Sequence, residues 1–129
     1  MQMAKVTGIG GVFFKARNDS AALAAWYEKH LGISFNGATY TDWQFANADG
    51  SKKAGCNVFS FFKKDSNYFE PSEKQTMVNF IVKDLFALIA VLKEEGVTMA
   101  GEPIDEEYGK FGWIIDPEGN KIELWEPPA

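Results

Sequence analysis

The chain repeats one pattern of strand, helix and strands, and this repetition constrains its fold more than any other feature. The stretch GVFFKA before the first predicted helix corresponds to MVNFIV before the second. VFSFF, which follows a turn at Asp49-Gly50, corresponds to KIELW, which follows a turn at residues 116–119. A unit of about 50 residues exposes a sheet face that only a second copy can cover. The sequence therefore predicts two similar units that share one core.

The first half reads as a strand, a helix and further strands. β-Branched and aromatic residues around paired glycines at residues 5–16 predict a strand with a bulge or a close backbone approach. Residues 18–20 supply N-cap candidates for a helix that Gly32 ends. Strand-like runs follow at residues 40–45 and 58–62.

The second half repeats this order. A strand at residues 75–82 leads into a helix that Asp84 caps and Gly96 closes. Short strands are predicted at residues 97–100, 111–115 and 121–125. Segment 65–74 (DSNYFEPSEK) is polar, contains a proline and has no apolar period, so it is predicted to be a linker. The expected organisation is one domain over residues 1–129, with units at about residues 1–66 and 75–129.

Composition bounds the size, partners and location of the protein. A chain of 129 residues suits one domain, and its 11 Phe and 4 Trp exceed what a small core requires, so some aromatic residues are expected to line a pocket. The net charge of −5 disfavours nucleic acid and favours a cationic ligand. With no apolar run long enough to span a bilayer and no apolar leader, no membrane partner and a cytoplasmic location are expected.

Three stretches carry a family resemblance: GIGGVFFKARNDSAALAAWYEKHLGI, VKDLFALIAVLKEEGV and FGWIIDPEGNKIELWEP. They resemble the vicinal-oxygen-chelate superfamily of glyoxalases, bleomycin-resistance proteins and dioxygenases. The resemblance implies an α+β fold in which two βαβββ units form a curved mixed sheet around one cleft. It also implies a homodimer.

In metal-dependent members of that superfamily, strands of both units supply the metal ligands. The corresponding positions here fall on Gly11, Ser60, Met77 and Glu123. Glycine has no side chain and a thioether is a poor ligand for a hard cation, whereas a catalytic metal keeps about three protein ligands. His30 lies at the end of the first helix, away from the cleft strands, and Cys56 is the chain's single cysteine. We therefore expect no metal at this position and no cofactor.

The same resemblance, combined with strand alternation, predicts which side chains line the cleft. Residues two apart on a strand share a face, so Ile122 and Leu124 should face the helices while their neighbours face the cleft. The predicted ligand-binding residues are Phe13, Ser60, Met77, Asn79, Trp113, Lys121, Glu123 and Trp125. Trp113 has core packing as its alternative role.

Three functions stay open at this stage. The first is a metal-free protein of the bleomycin-resistance kind that binds a small flat or cationic molecule between aromatic walls, with Glu123 as counter-charge. The second is a lyase, isomerase or dioxygenase in which Glu123 acts as the catalytic base or a metal ligand. The third is a structural dimer module, in which Glu123 is a solvated or salt-bridged group near Lys121.

Overall fold

A computed structural model describes residues 5–129 of the protein. Residues 1–4, which the first predicted unit includes, lie outside this range. The elements are β1 Val6–Lys15, α1 Ser20–Leu31, β2 Tyr40–Ala46, β3 Lys52–Phe62, β4 Thr76–Val82, α2 Leu85–Glu94, β5 Thr98–Met99, β6 Ile104–Glu106, β7 Gly109–Ile115 and β8 Lys121–Glu126. Over these residues no helix has the length and apolar character needed to cross a membrane.

The strands form one mixed sheet with the order β2-β3-β1-β4-β8-β7-β5, and β6 pairs with β7. β1 runs parallel to β3, β4 runs parallel to β8, and the two sets join through the antiparallel pair β1 and β4. The group β1, β3 and β2 is thus repeated by β4, β8 and β7. This topology confirms the predicted α+β fold with a curved mixed sheet.

The two halves differ in the segment that follows each helix. After α2 the chain forms β5, which pairs with the edge of β7, but residues 33–39 form no strand. Asn36 and Gly37 have φ angles of 50° and 82° there. These left-handed conformations are incompatible with an extended strand, so β2 lies at the edge of the sheet.

Both helices begin and end where the sequence indicates. The Asp19 carboxylate accepts hydrogen bonds from two backbone N–H groups in the first turn of α1, and Asp84 does the same once for α2. Such caps satisfy donors that the helix itself cannot pair. Gly32 ends α1 with a φ of 70°, which glycine adopts without steric cost.

The two helices pack on one face of the sheet. α2 covers a cluster that contains Leu124 and Ile122 of β8. α1 covers a second cluster, which contains Phe61 of β3 and Phe14 of β1. Strand alternation directs the neighbours of these residues to the opposite face, which we call the cleft face.

Segment 65–74 lies across part of the cleft face. It contains no helix or strand, but Phe69 is fully buried in a cluster with Phe13 and Met77. Beside it, the Tyr68 ring stacks on Phe62 with centroids 5.2 Å apart. The segment therefore packs as part of the core, and the division of the chain into two units at this point stays a prediction.

The buried position of Phe69 gives a stability test. We expect Phe69→Ala to lower the free energy of unfolding by about 3–5 kcal/mol, because it leaves a cavity between the segment and the sheet. Urea denaturation measures the loss. Phe86→Ala is the control, since that ring on α2 is 43% exposed; equal effects of the two substitutions would contradict the packing described for the segment.

Candidate functional site

Glu123 lies near the middle of the cleft face. In the sheet it pairs with Asn79 of β4 on one side and with Trp113 of β7 on the other. Directly paired residues project from the same face, so the three side chains form a row across β4, β8 and β7. The Glu123 and Asn79 side chains are each only 3% exposed.

Three donors bind the Glu123 carboxylate. Asn79 Nδ2 donates to Oε1 at 2.6 Å, and Trp113 Nε1 donates to Oε2 at 2.9 Å. The Tyr68 hydroxyl, from segment 65–74, also donates to Oε2. A carboxylate only accepts hydrogen bonds, so these groups provide inside the protein the solvation that the buried charge loses.

Tyr68 is fixed as a donor by this environment. Burial raises the pKa of its hydroxyl far above the ordinary value, and the negative charge of Glu123 and the hydrogen bond to it raise the pKa further. Tyr68 therefore keeps its proton at neutral pH, and its hydroxyl acts as a donor to Glu123 rather than as a base.

Lys121 binds the same segment. Its Nζ donates to the Tyr68 carbonyl oxygen at 2.6 Å and lies 5.3 Å and 5.7 Å from the ring centroids of Tyr68 and Trp113. Burial lowers the pKa of the amine, and the charges of Glu123 and Glu70 oppose this effect. Lys121 thus holds segment 65–74 against the sheet.

A cavity of about 1010 Å³ opens on the cleft face beside this network. Four of the predicted binding residues line it, namely Phe13, Asn79, Glu123 and Trp125. Of the other four, Ser60 lines a neighbouring cavity of about 420 Å³, and Met77 is buried beneath segment 65–74. Trp113 and Lys121 contact Tyr68. The structure thus places the eight residues on one face but gathers half of them around the cavity.

The remaining walls of the cavity come from residues that the sequence did not single out. β2 and β3 contribute Tyr40, Asp42, Gln44, Lys52, Ala54, Gly55, Cys56 and Val58, and the C-terminal half contributes Glu107, Tyr108, Phe111, Pro127, Pro128 and Ala129. Asp42 and Tyr40 pair with Val58 and Ser60 of β3. A prediction of the register between β2 and β3 would therefore have placed both residues on the cleft face. Glu107 and Tyr108 lie in a turn between β6 and β7, for which sequence periodicity gives no signal.

Trp125 forms a fixed aromatic wall of this cavity. Its Nε1 donates to the Tyr108 carbonyl oxygen at 2.9 Å, and its ring stacks on Phe111 with planes 12° apart. Gly109 permits this packing, because a Cβ there would lie 2.6 Å from Trp125 Nε1, and its φ of 124° also favours glycine.

Cys56 also lines the cavity. Burial raises the pKa of its thiol, and the negative charge of Asp42 raises it further. The thiolate is the reactive form of cysteine, so this environment disfavours Cys56 as a nucleophile.

The residues at the four positions implied for a metal do not fit a divalent cation. Met77 is buried in an apolar cluster, Gly11 has no side chain, and Glu123, the one carboxylate of the four, already accepts three hydrogen bonds. Within residues 5–129, no group of three or more His, Cys, Asp or Glu side chains is arranged to hold a metal. His30 lies in the last turn of α1 and packs against Trp26.

Comparison with known proteins gives a family match. The sequence model of the family described as the Glyoxalase/Bleomycin resistance protein/Dioxygenase superfamily matches residues 11–124. A comparison with curated proteins finds no match.

Several solved structures are similar to this one. Methylmalonyl-CoA epimerase from Mycobacterium tuberculosis has a TM-score of 0.62 and 18% identity, covering 100% of this chain and 93% of that one. A protein described as NAD-dependent benzaldehyde dehydrogenase from Legionella pneumophila has a TM-score of 0.57 and 14% identity, covering 92% of this chain and 98% of that one. The Mn(II)-bound glyoxalase from Novosphingobium aromaticivorans has a TM-score of 0.55 and 17% identity, covering 95% of this chain but 40% of that one. At these identities the similarity shows a shared fold alone.

The position of Tyr68 predicts a pH dependence. Because its pKa is raised above the ordinary value of 10.0, the stability that its hydrogen bond contributes is complete below that value and is lost as the pH rises above it. We expect the stability difference between wild type and Tyr68→Phe, measured by urea unfolding, to shrink above pH 10.0. Phenolate absorbance from Tyr68 in the folded protein at that pH, with circular dichroism unchanged, would contradict the assignment.

The donor arrangement around Glu123 predicts weak metal binding. Protein dialysed against a chelator and then exposed to zinc, nickel, iron or manganese should retain far less than one equivalent, because a single occupied carboxylate gives low affinity. Elemental analysis measures the content. Near-stoichiometric metal that Glu123→Gln removes would show that the site is a metal centre after all.

Proposed function

Because the chain belongs to the Glyoxalase/Bleomycin resistance protein/Dioxygenase superfamily, we propose that it binds a small, flat, cationic molecule in the cavity beside Trp125 without using a metal. The observation that carries this proposal is the lining of the cavity, which combines aromatic faces with an excess of carboxylates.

The dimensions of the cavity support a small-molecule ligand. Its volume of about 1010 Å³ corresponds to the upper end of ligand pockets, which span roughly 300–1,000 Å³. Phe13 and Trp125 supply buried apolar surface at its base, whereas Tyr40 and Tyr108 are 59% and 71% exposed. A ligand would therefore find an apolar floor and an aromatic rim.

The charges of the lining favour a cation. Asp42, Glu107 and Glu123 face the cavity, and Lys52 is the one lysine among its lining residues. Carboxylates that converge on a partly enclosed space attract positive charge. Aromatic faces add to this attraction, because their π-electrons interact favourably with a cation within about 6 Å of the ring centre.

A flat ligand is favoured by the fixed wall that Trp125 forms. The hydrogen bond to the Tyr108 carbonyl and the stacking on Phe111 hold this ring, so little conformational entropy is lost when a planar molecule stacks on it. Glu123 would act as a buried counter-charge next to that ring.

Catalysis by Glu123 is the alternative function, as a lyase, isomerase or dioxygenase reaction of the same superfamily. Oε2 already accepts from Tyr68 and Trp113, whereas Oε1 accepts from Asn79 alone. A carboxylate oxygen has two acceptor positions, so Oε1 is the atom that would take a proton from a substrate. One such atom is sufficient for proton abstraction, but the charge and aromatic character of the whole cavity favour binding.

A homodimer, a cytoplasmic location and the lack of nucleic-acid and membrane partners stay predictions from the sequence. In the structure Tyr40 and Trp43 of the edge strand β2 are more than half exposed. A third possibility is a structural module without a ligand, but it does not explain why aromatic and acidic residues line the cavity.

Two probes that share one ring system but differ in charge test the proposal. We expect the 10-methylacridinium cation to bind at least about tenfold more tightly than neutral acridine at pH 8, because the two share the flat ring and the N-methylated one carries a fixed positive charge. Quenching of tryptophan fluorescence and calorimetry measure both affinities. If neither probe binds, or if both bind with equal affinity, the result would contradict a site for flat cations.

Substitutions test which carboxylates cause the preference for the cationic probe. Asp42→Asn and Glu107→Gln should each reduce the preference for the cation by about threefold to tenfold, because each removes one carboxylate from the lining. Glu94→Gln is the matched control: it changes the net charge equally, but Glu94 is exposed on α2, on the helix face of the sheet. An equal effect of the control would mean that only overall charge matters.

A further inference from the structure

We propose that a second cavity, on the helix face of the sheet beside α1, binds an amphipathic anion, namely a carboxylate with an apolar body. No residue lines both this cavity and the one beside Trp125. The inference goes beyond the proposed function, because it concerns other residues and a ligand of opposite charge, and each can fail without the other.

The second cavity has the size of a small-molecule site. Its volume is about 730 Å³, and ligand pockets span roughly 300–1,000 Å³. The end of β1, the loop that leads into α1 and one side of α1 border it, together with Gln75 at the start of β4. It is therefore a groove between the first helix and the sheet.

The floor of this groove is apolar. The rings of Phe14 and Phe61 lie there with centroids 6.2 Å apart and planes 20° apart. Phe61 is buried, but Phe14 and Leu23 are only partly buried, although β1 lies in the interior of the sheet. α1 thus leaves part of this layer uncovered, and an apolar group placed in the groove would remove that surface from water.

Trp26 forms an exposed side wall. It lines the groove, and its indole is 52% exposed. Its ring packs against Tyr27 and His30 of the same helix, with centroids 5.3 Å and 4.9 Å away. A large aromatic surface therefore stays open to a ligand that lies along α1.

The charged residues of the lining favour an anion. They are Lys15, Arg17 and Asp19. Within residues 5–129 neither cation forms an ion pair. The Asp19 carboxylate accepts hydrogen bonds from two N–H groups in the first turn of α1, so the positive end of the helix dipole offsets its charge. The two cations thus leave an excess of positive charge at the groove.

The distribution of charge along the chain agrees with this sign. Residues 1–64 contain eight Lys and Arg but four Asp and Glu, whereas residues 65–129 contain five and fourteen. The groove therefore lies in the basic half of an acidic protein. The guanidinium of an arginine also presents paired N–H donors that match the two oxygens of a carboxylate. A carboxylate attached to an apolar body fits both the charge and the floor of the groove.

Two naphthalene probes separate the contribution of charge from that of the ring. At pH 7 2-naphthoate is an anion, whereas 2-naphthamide is neutral and of nearly the same shape. Calorimetry with the intact chain should show the anion binding at least about fivefold more tightly, because only it can pair with the cations of the groove. Equal affinities, or no binding of 2-naphthoate, would overturn the inference.

Nuclear magnetic resonance locates the bound probe. In ¹H–¹⁵N spectra 2-naphthoate should shift the indole signal of Trp26 and the backbone amide signals of residues 15–23, because these groups border the groove. The indole signal of Trp125 should stay in place. Shifts centred on Trp125 would overturn the inference, since they would place the anion in the cavity of the cleft face.

A substitution tests the contribution of Arg17. Arg17→Gln should weaken the binding of 2-naphthoate at least about threefold and leave that of 2-naphthamide unchanged. Lys29→Gln is the matched control, since it removes the same charge from an exposed residue of α1 that does not line the groove. Equal losses in both variants would show that only net charge matters and would overturn the inference. The comparison of the two probes in the wild type decides it without any variant.

Discussion

The hydrogen-bonded carboxylate of Glu123 is the interaction on which the cleft face depends. A charge this deeply buried is tolerated only when donors replace the water that it loses. Here the donors come from β4, β7 and segment 65–74, so one residue connects β8 to three other parts of the chain. Lys121, two positions away, strengthens the same connection by binding the Tyr68 backbone. Removing any donor would leave part of the carboxylate unsatisfied, and so the network acts as a unit.

This network also decides which part of the cleft face stays open. Tyr68 and Phe69 cover the region of Met77 and Trp113, so the accessible cavity lies toward β2, β3 and the C-terminal residues. Its walls therefore come largely from Asp42, Tyr108 and their neighbours. Because a shared fold does not by itself imply a shared function, the residues around this cavity carry the functional argument rather than the sheet.

The sequence was informative where the signal is local. Alternation along β8 directed Ile122 and Leu124 to the helices and Glu123 and Trp125 to the cleft, because successive side chains of a strand point to opposite faces. The cap at Asp19 was readable for a similar reason, since a cap involves residues that are neighbours in the chain. The difference between the halves after α1 was not predictable, because the left-handed conformation at Asn36 has no clear signal in the sequence.

By itself, then, the sequence determined the two strand-helix-strand repeats, the α+β class and the direction of the side chains on each strand, since these follow from periodicity and local propensity. Only the tertiary structure decided what covers the cleft face. Tyr68 and Glu123 are 55 positions apart, and Asn79 and Glu123 are 44 positions apart, so no local pattern could reveal that they share hydrogen bonds. Segment 65–74 looked like a linker because it is polar and aperiodic, but two of its aromatic residues pack on the sheet. Their burial depends on the three-dimensional meeting of distant segments, which composition and spacing do not encode.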